Sequence, residues 1–488
     1  MTLKRKICYA IVVVIILIIA YFFIPFKEIF REKPSFAYKK DNALQNELKT
    51  YKPIKFPKVT FATLSDTHIY DTSLGTSGKA FQHYLDNDRK MLIQSSEILD
   101  SAMDDIIATK PQFVIVSGDL TKDGEEVAHR LFASKIARFK ENGINVYVIP
   151  GNHDINNSDA VRFIGDKTEQ IKSVNDKEFA ANYADFGYND AIDKDPNSLS
   201  YIVEPVEDLW LFALDSVKWR ENTLHTPPIV GGRFYKETIK WLESKLLEAN
   251  QKGKAILITQ HHGILEHYKG NKDFYPEYLI DDFSLLGEMY AAYNARVVLT
   301  GHFHANDISG KAFNGKSLLD IETGSLVTAP SPYRFITLDG SVVSVRSKIV
   351  ERIESKSDFQ AFAREYTKQG LEVLAKNVMN DYFVSSSDQE YIAPFISEAF
   401  LAHYRGDEKP LEDAKLLPES SKLGLFGKVV LQVKRDLILG IWHDLSPRDN
   451  NVMIDLDLGI DSIESNVDSN IADSNALDSK SADSIESK

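Results

Sequence analysis

The apolar positions of this chain change rhythm along its length. From about residue 57 to 350, short β-branched runs alternate with stretches whose apolar residues recur at helical spacing. The strand-like runs are Val59–Leu64, Phe113–Val116, Asn145–Ile149, Leu209–Leu214, Ala255–Thr259 and Arg296–Leu299. Between them, Ile98, Ala102, Ile106 and Ile107 mark one amphipathic helix, and Val127, Leu131, Ile136 and Phe139 more loosely mark another. This alternation predicts an α/β domain over residues 57–350. Past it the period turns helical throughout: Phe359, Phe362 and Tyr366, then Phe395, Ile396, Phe400 and Tyr404, predict a separate helical domain over residues 351–445.

The two ends read differently. A short basic tail, residues 1–6, carries Lys4, Arg5 and Lys6 and precedes an uncharged apolar run, Ile7–Phe26. A run of about 20 apolar residues suffices to span a bilayer as a helix. It ends in Tyr21-Phe22-Phe23-Ile24-Pro25-Phe26, without the small residues of a signal-peptidase site, so an uncleaved anchor over 7–26 is expected. A short basic tail before a large domain favours an extracytoplasmic catalytic domain on a single-pass anchor. Residues 27–56, interrupted by prolines, read as a charged, partly helical linker. Residues 446–488 read as a disordered acidic tail, in which Asp468, Asp473, Asp478 and Asp483 are each followed by serine.

Composition narrows the functional classes. The 488 residues carry a formal charge of −14, half of it in Asn451–Lys488, where nine acids meet two lysines. An acidic chain without a basic, aromatic-interleaved stripe is a poor general nucleic-acid binder or nuclease. One cysteine excludes both a disulfide framework and a thiolate metal cage.

The chemistry sits at the ends of the predicted strands. Val59–Leu64 runs into Ser65-Asp66-Thr67-His68, Phe113–Val116 into Ser117-Gly118-Asp119, and Asn145–Ile149 into Pro150-Gly151-Asn152-His153-Asp154. The run Ala255–Thr259 leads to His261-His262, and Arg296–Leu299 leads to Gly301-His302-Phe303-His304. Open α/β sheets bring the carboxyl ends of strands to one edge, so these five segments should converge. Oxygen and imidazole donors without thiolate suit Mn, Fe or Zn. Two ions about 3.5–4 Å apart need a donor that reaches both, and Asp119, on a tight Gly-Asp turn, is the candidate bridge. In an extended segment, residues two apart share a side, which would aim Asp66 with His68, and His302 with His304, at one ion each.

These motifs, in this order over residues 59–305, resemble the calcineurin-like metallophosphoesterase superfamily. The resemblance implies a four-layer α/β/β/α sandwich and two divalent or transition-metal ions. It implies Asp66, His68, Asp119 and His304 as ligands of one ion, and Asp119, Asn152, His261 and His302 as ligands of the other. His262 remains open as the neighbour that supports His261. By the same resemblance a metal-bridging hydroxide attacks phosphorus, His153 protonates the leaving group and Asp154 orients His153. Lys122 stands where purple acid phosphatases have a tyrosine, and His68 where they have no histidine. No Asp-Arg-Gly follows the Gly-Asp motif, unlike the protein Ser/Thr phosphatases.

Tyr183–Tyr188, Ser198–Tyr201, Gly324-Ser325-Leu326 and Pro332-Tyr333-Arg334, with the helical carboxyl-terminal part, are similar to long bacterial cyclic nucleotide phosphodiesterases. A small phosphoester, with a cyclic nucleotide favoured, is therefore the expected substrate. The rivals are a broad-specificity envelope phosphatase or nucleotidase and a non-catalytic membrane-anchored adaptor. The helical domain is expected to wall the cleft, with Tyr333 and Arg334 nearby. His83, His129, His225, His267, His403 and His443 read as surface or satisfied core histidines, although His267 can approach the cleft.

Overall fold

Each β-branched run forms a strand, and the strands sort into two large sheets. The computed structural model describes residue 31 and residues 33–410 and 414–460. Its strands are β1 Phe56–Leu64, β2 Phe113–Val116, β3 Asn145–Val148, β4 Val161–Ile164, β5 Lys167–Gln170, β6 Asp193–Lys194, β7 Tyr201–Val206, β8 Leu209–Leu214, β9 Ala255–Gln260, β10 Val297–Thr300, β11 Ile308–Phe313, β12 Lys316–Glu322, β13 Pro332–Gly340, β14 Val342–Ile349 and β15 Val452–Asp455. The helices that position the site are α1 Ala37–Lys40, α2 Asn42–Thr50, α3 Ser95–Thr109, α4 Glu126–Glu141, α5 Lys236–Gln251, α6 Phe283–Ala292, α7 Phe359–Asp381, α8 Ser386–Arg405 and α9 Leu425–Ile441.

One sheet runs β15-β14-β13-β1-β2-β3, the other β11-β12-β10-β9-β8-β7-β6, and β4 with β5 forms a separate hairpin. Strands β1, β2 and β3 are parallel neighbours, as are β8, β9 and β10. Alternation along the second sheet shows how the layers stack. Leu209, Leu211, Ala213, Leu257, Val297 and Leu299 join the core shared with the first sheet. Their neighbours Trp210, Phe212, Leu214, Ile256, Ile258 and Val298 join a second core under α5 and α6. The result is a mixed α/β architecture, with α3 and α4 burying Ile98, Ala102, Ile106, Phe132, Ile136 and Phe139 in the first core. The buried face of α4 is led by Ala128 and Phe132 rather than by Val127 and Leu131, which are only partly buried.

Three expectations are corrected, and the reading of the linker is extended. Helices α7 to α9 enclose no core of their own: Phe359, Leu371, Ile392, Phe400 and Ile438 belong to the same cluster as the first sheet. The expected separate domain is therefore a layer laid on the catalytic one. The acidic tail does not begin at 446. Strand β15 extends the first sheet beside β14, and Asp449 accepts the backbone N–H of Ile308 at 2.7 Å. A short apolar alternation (Val452, Ile454) suffices for an edge strand once a partner is present. The serine-aspartate pentads at 468–483 lie outside the described residues. The linker is docked, since the N–H groups of Ala37 and Tyr38, in α1, donate to Glu243 on α5 at 2.7 and 3.1 Å. Finally, the membrane placement is withdrawn. Among the described residues no helix is long and apolar enough to cross a membrane, and the run Ile7–Phe26 lies outside them. Sufficient apolar length is a necessary condition for a span, not a demonstration of one.

Candidate metal centre

The two sets of parallel strands end at the same seam, where the loops of one sheet are stitched to those of the other. His261, after β9, donates from Nδ1 to the carbonyl of Ser117, after β2, at 2.8 Å. The N–H of His302, after β10, donates to Asp66 Oδ2, after β1, at 3.0 Å. Asp119 lies between these links, and its two oxygens are used differently. Oδ1 accepts the N–H of His153 at 2.9 Å. Oδ2 faces the imidazole Nε2 atoms of His68 at 3.7 Å, His261 at 3.5 Å and His153 at 3.9 Å.

Two donor sets share this seam. Asp66, His68 and His304 bring one ligand atom each within 4.8 Å of one another, and so do Asp119, His261 and His302. His68, Asp119 and His153 form a third such group between them. Asn152 joins the second set through Oδ1, 3.2 Å from His261 Nε2.

The donor chemistry fits cations. Because His261 gives its Nδ1 proton to a carbonyl, it is Nε2 that faces Asn152 Oδ1 and Asp119 Oδ2, and a cation that displaces the Nε2 proton would meet three converging ligand atoms there. Asp66 Oδ1, fully buried, has no hydrogen-bond partner and faces His68 at 3.8 Å and His304 at 3.5 Å. An unsatisfied buried carboxylate oxygen is costly unless a cation takes it. Burial pushes His68, His302 and His304 well below the usual imidazole value, which leaves them neutral, as metal ligands must be. For His261 burial acts the same way, but the Asp119 carboxylate outweighs it and lifts the ring to about 9. Asp119, despite its burial, is held well below the carboxylate range by His261 and His153.

The backbone that aims these groups is not extended. Asp66, His68, Asp119, His302 and His304 all adopt positive φ, from 37° to 81°. The alternation argument for Asp66 with His68 reached a pairing that one donor set shares, but for the wrong reason, and for His302 with His304 it fails, because His304 groups with Asp66 and His68 whereas His302 groups with Asp119 and His261. Tight left-handed turns, not strand geometry, bring the side chains together, at a conformational cost typical of functional sites. Glycine is required where these turns touch. A Cβ on Gly151 would lie 2.2 Å from the backbone nitrogen of Asp119, and one on Gly301 would lie 1.9 Å from Ser65 Oγ. Gly301→Ala is accordingly expected to lower unfolding stability by about 1–3 kcal/mol and to displace Asp66, which thermal melting and turnover assays would register together.

Not every expected role falls where the motifs put it. The Asp154 carboxylate accepts N–H groups of Gly151, Leu120 and Thr121 and the Thr121 hydroxyl, at 2.8–3.1 Å. It braces two site loops and does not orient His153. That partner is Asp123, whose Oδ1 lies 2.8 Å from His153 Nδ1. Asp123 sits against the buried Lys122 ammonium, which overrides the effect of burial and draws the carboxyl down to about 2. Sequence offered one clue: Asp123 lies in the segment Leu120-Thr121-Lys122-Asp123-Gly124 directly after the Gly118-Asp119 turn.

His262 is resolved against ligation, with Nδ1 on the Ser216 hydroxyl at 2.8 Å and Nε2 on the Val230 carbonyl at 2.9 Å. Asp215 Oδ2, by contrast with the centre's acids, only caps a turn, accepting from Leu199 N–H at 3.1 Å and Trp219 Nε1 at 2.9 Å. His83, His225 and His443 are exposed. His267 misses the centre and lies in a separate buried cluster, 2.6 Å from Asp307.

The subfamily motifs turn out to be braces. Tyr183 donates to His129 Nδ1, which in turn donates from Nε2 to the Asp154 carbonyl, both at 2.8 Å. Tyr201 donates to the Val148 carbonyl at 2.8 Å, and Ser325 to the Asp66 carbonyl at 2.9 Å. Arg334 is fully buried on Asn306 Oδ1 and the Asp449 carbonyl, and Tyr333 donates to Asp105, so neither lines the centre. The wall comes instead from Phe400 and Tyr404 of α8. Tyr404 stands 6.2 Å, ring to ring, from His304 and accepts from Arg89 Nε at 2.8 Å. Tyr278 packs on His302 at 4.5 Å. Together with Tyr275, Phe303 and Phe400 these residues line a largely apolar cavity of about 340 Å³. Arg89, Tyr278 and Tyr404 carry no motif and are joined only by the fold.

Comparison with known proteins agrees with this geometry. The family model for calcineurin-like phosphoesterases matches residues 59–306. No curated protein matches the chain. Similar solved structures include a dimetal phosphatase from Danio rerio, at 15% identity and TM-score 0.42, covering 60% of this chain and 97% of that one. A purple acid phosphatase from yellow lupin seeds aligns at 11% identity and TM-score 0.39, covering 62% of this chain and 53% of that one. The Thermus thermophilus sulfate thiohydrolase SoxB aligns at 12% identity and TM-score 0.33, covering 69% and 63%. At these TM-scores the assignment is carried by the family model.

Proposed function

The chain belongs to the calcineurin-like phosphoesterase family and is a metal-dependent phosphoester hydrolase, and from that premise we propose how its residues divide the work and which ester they select. Asp66, His68, Asp119 and His304 would hold one ion, and Asp119, Asn152, His261 and His302 would hold the other. The observation that carries this reading is the position of Asp119 between two buried donor sets. When bound, the ions supply positive charge to the phosphoryl oxygens and an activated water. The native pair is drawn from Mn, Fe and Zn by the oxygen and imidazole donor set.

His153 acts as the proton donor to the leaving oxygen. It is held from both sides, its N–H on Asp119 and its ring Nδ1 on Asp123, so that Nε2 points back to the centre. Burial opposes its imidazolium form, yet the Asp119 and Asp123 carboxylates raise it above the usual imidazole value. Lys90, almost fully buried and paired with Asp88, adds a positive charge near His68, His153 and His304.

The favoured substrate is a phosphodiester with a flat, apolar substituent, and a cyclic nucleotide is the leading case. Support comes from the aromatic cavity beside His302 and His304, whose Tyr278 and Tyr404 rings suit a stacked base. The test compares turnover of cyclic AMP, bis(p-nitrophenyl) phosphate and 5′-AMP by Mn²⁺-loaded protein. Efficient cleavage of cyclic AMP supports the proposal, whereas cleavage of 5′-AMP with no activity on cyclic AMP would favour a broad phosphatase or nucleotidase. Filling the cavity with Ala375→Trp is expected to raise KM for cyclic AMP about tenfold, the order of one lost base-stacking contact, while leaving a dimethyl phosphodiester unaffected.

A further inference from the structure

Behind the loop that carries His302 and His304 lies a second buried group of titratable residues with no part in the reaction described above. Asp307, His403 and Glu408 are all buried and bring their ligand atoms within 4.8 Å of one another. His403 Nδ1 contacts Glu408 Oε1 and lies 3.7 Å from Asp307 Oδ2. The other oxygen of Asp307 is taken by His267, at 2.6 Å. Asp307 Oδ2, Glu408 Oε2 and His403 Nε2 have no hydrogen-bond partner although each is buried. Asp444 and Asp449 add further carboxylates next to this group, with Asp444 Oδ1 likewise unpartnered. The nearby Arg334 guanidinium is spent on Asn306 Oδ1 and on the carbonyls of Asp449 and Asp307, not on a carboxylate.

An internal ion pair with protonated His403 leaves those carboxylate oxygens unsatisfied, a costly arrangement in a dry interior. A divalent ion takes up both charges, and two carboxylates with one imidazole form a donor set for Mn²⁺ or Zn²⁺. We propose that Asp307, His403 and Glu408 bind a third divalent transition-metal ion, with a structural role. It would tie the end of α8 and the segment that follows to the start of β11. Tyr404 is the next residue after His403, so the same tie fixes the aromatic wall of the substrate cavity.

The test is a metal count on the full chain, stripped with chelator, reloaded with Mn²⁺ or Zn²⁺ and desalted. Wild type is expected to retain three ions and Glu408→Gln two. His302→Ala, which alters only the paired centre, is expected to lose an ion there and to keep the third. A Glu408→Gln count equal to wild type would overturn the proposal, whatever the wild-type total. If Glu408→Gln does not fold, Asp307→Asn replaces it under the same criterion. Because the two classes of variant lose different ions, failure of the third site is distinguishable from failure of the paired centre.

Discussion

Asp119→Asn is expected to reduce turnover on any phosphodiester by at least about 10³-fold, the scale on which losing one charge-stabilising element acts. The substitution keeps size and leaves an oxygen to accept the His153 N–H, now at 2.9 Å. What it removes is the charge of Oδ2, the atom facing His68, His261 and His153 at once. An amide presents either a neutral oxygen or an NH₂ there, and neither serves two cations. Metal analysis should show ion loss in parallel, while the fold, anchored by the sheets on either side, should melt near the wild-type temperature. Near wild-type turnover would remove Asp119 from the bridging position.

The second large effect is expected at His153, and the leaving group makes it diagnostic. A general acid matters when the departing oxygen is basic and matters little when it leaves as a stable anion. His153→Ala should therefore cut turnover of a diester with an alkoxide leaving group by about 10²–10⁴-fold, and that of bis(p-nitrophenyl) phosphate far less. Asp123→Asn should reproduce this dependence at smaller amplitude, because it loosens the Nδ1 contact at 2.8 Å without removing the ring. Asp154→Asn should instead lower stability with no leaving-group dependence, since its carboxylate is spent on backbone N–H groups of the site loops. An equal loss on both substrates in His153→Ala would make His153 a binding residue rather than a proton donor.

These contrasts show where sequence reasoning held and where it failed. Motif order and strand placement anticipated that the seven candidate residues meet at one seam, because a short loop after a buried strand has little freedom in where it ends. The place of His153 beside Asp119 was legible for the same reason. Its orienting partner was not. Asp154 is adjacent in sequence, but the turn after Asn152 directs its carboxylate backward to Thr121 and Gly151, and Asp123 arrives from another loop. The helical layer was legible as helices but misread as an independent domain, because an apolar stripe does not reveal which surface covers it. The edge strand β15 was hidden by the acidic composition around it, since four residues borrow most of their stability from β14.

The sequence by itself determined the chemistry: an oxygen and imidazole donor set, its order along an α/β scaffold, and the exclusion of thiolate sites. Those follow from residue type and from local periodicity, which a linear chain records directly. Only the tertiary structure decided the rest. It turned His261 rather than His262 toward Asp119, gave His153 to Asp123, turned the tyrosine and Arg334 motifs from cleft residues into braces, and set Tyr404 beside His304. Each of these depends on which acceptor or ring a side chain meets from a distant segment, and hydrogen bonds and ring contacts a few ångströms long have no signature in sequence spacing.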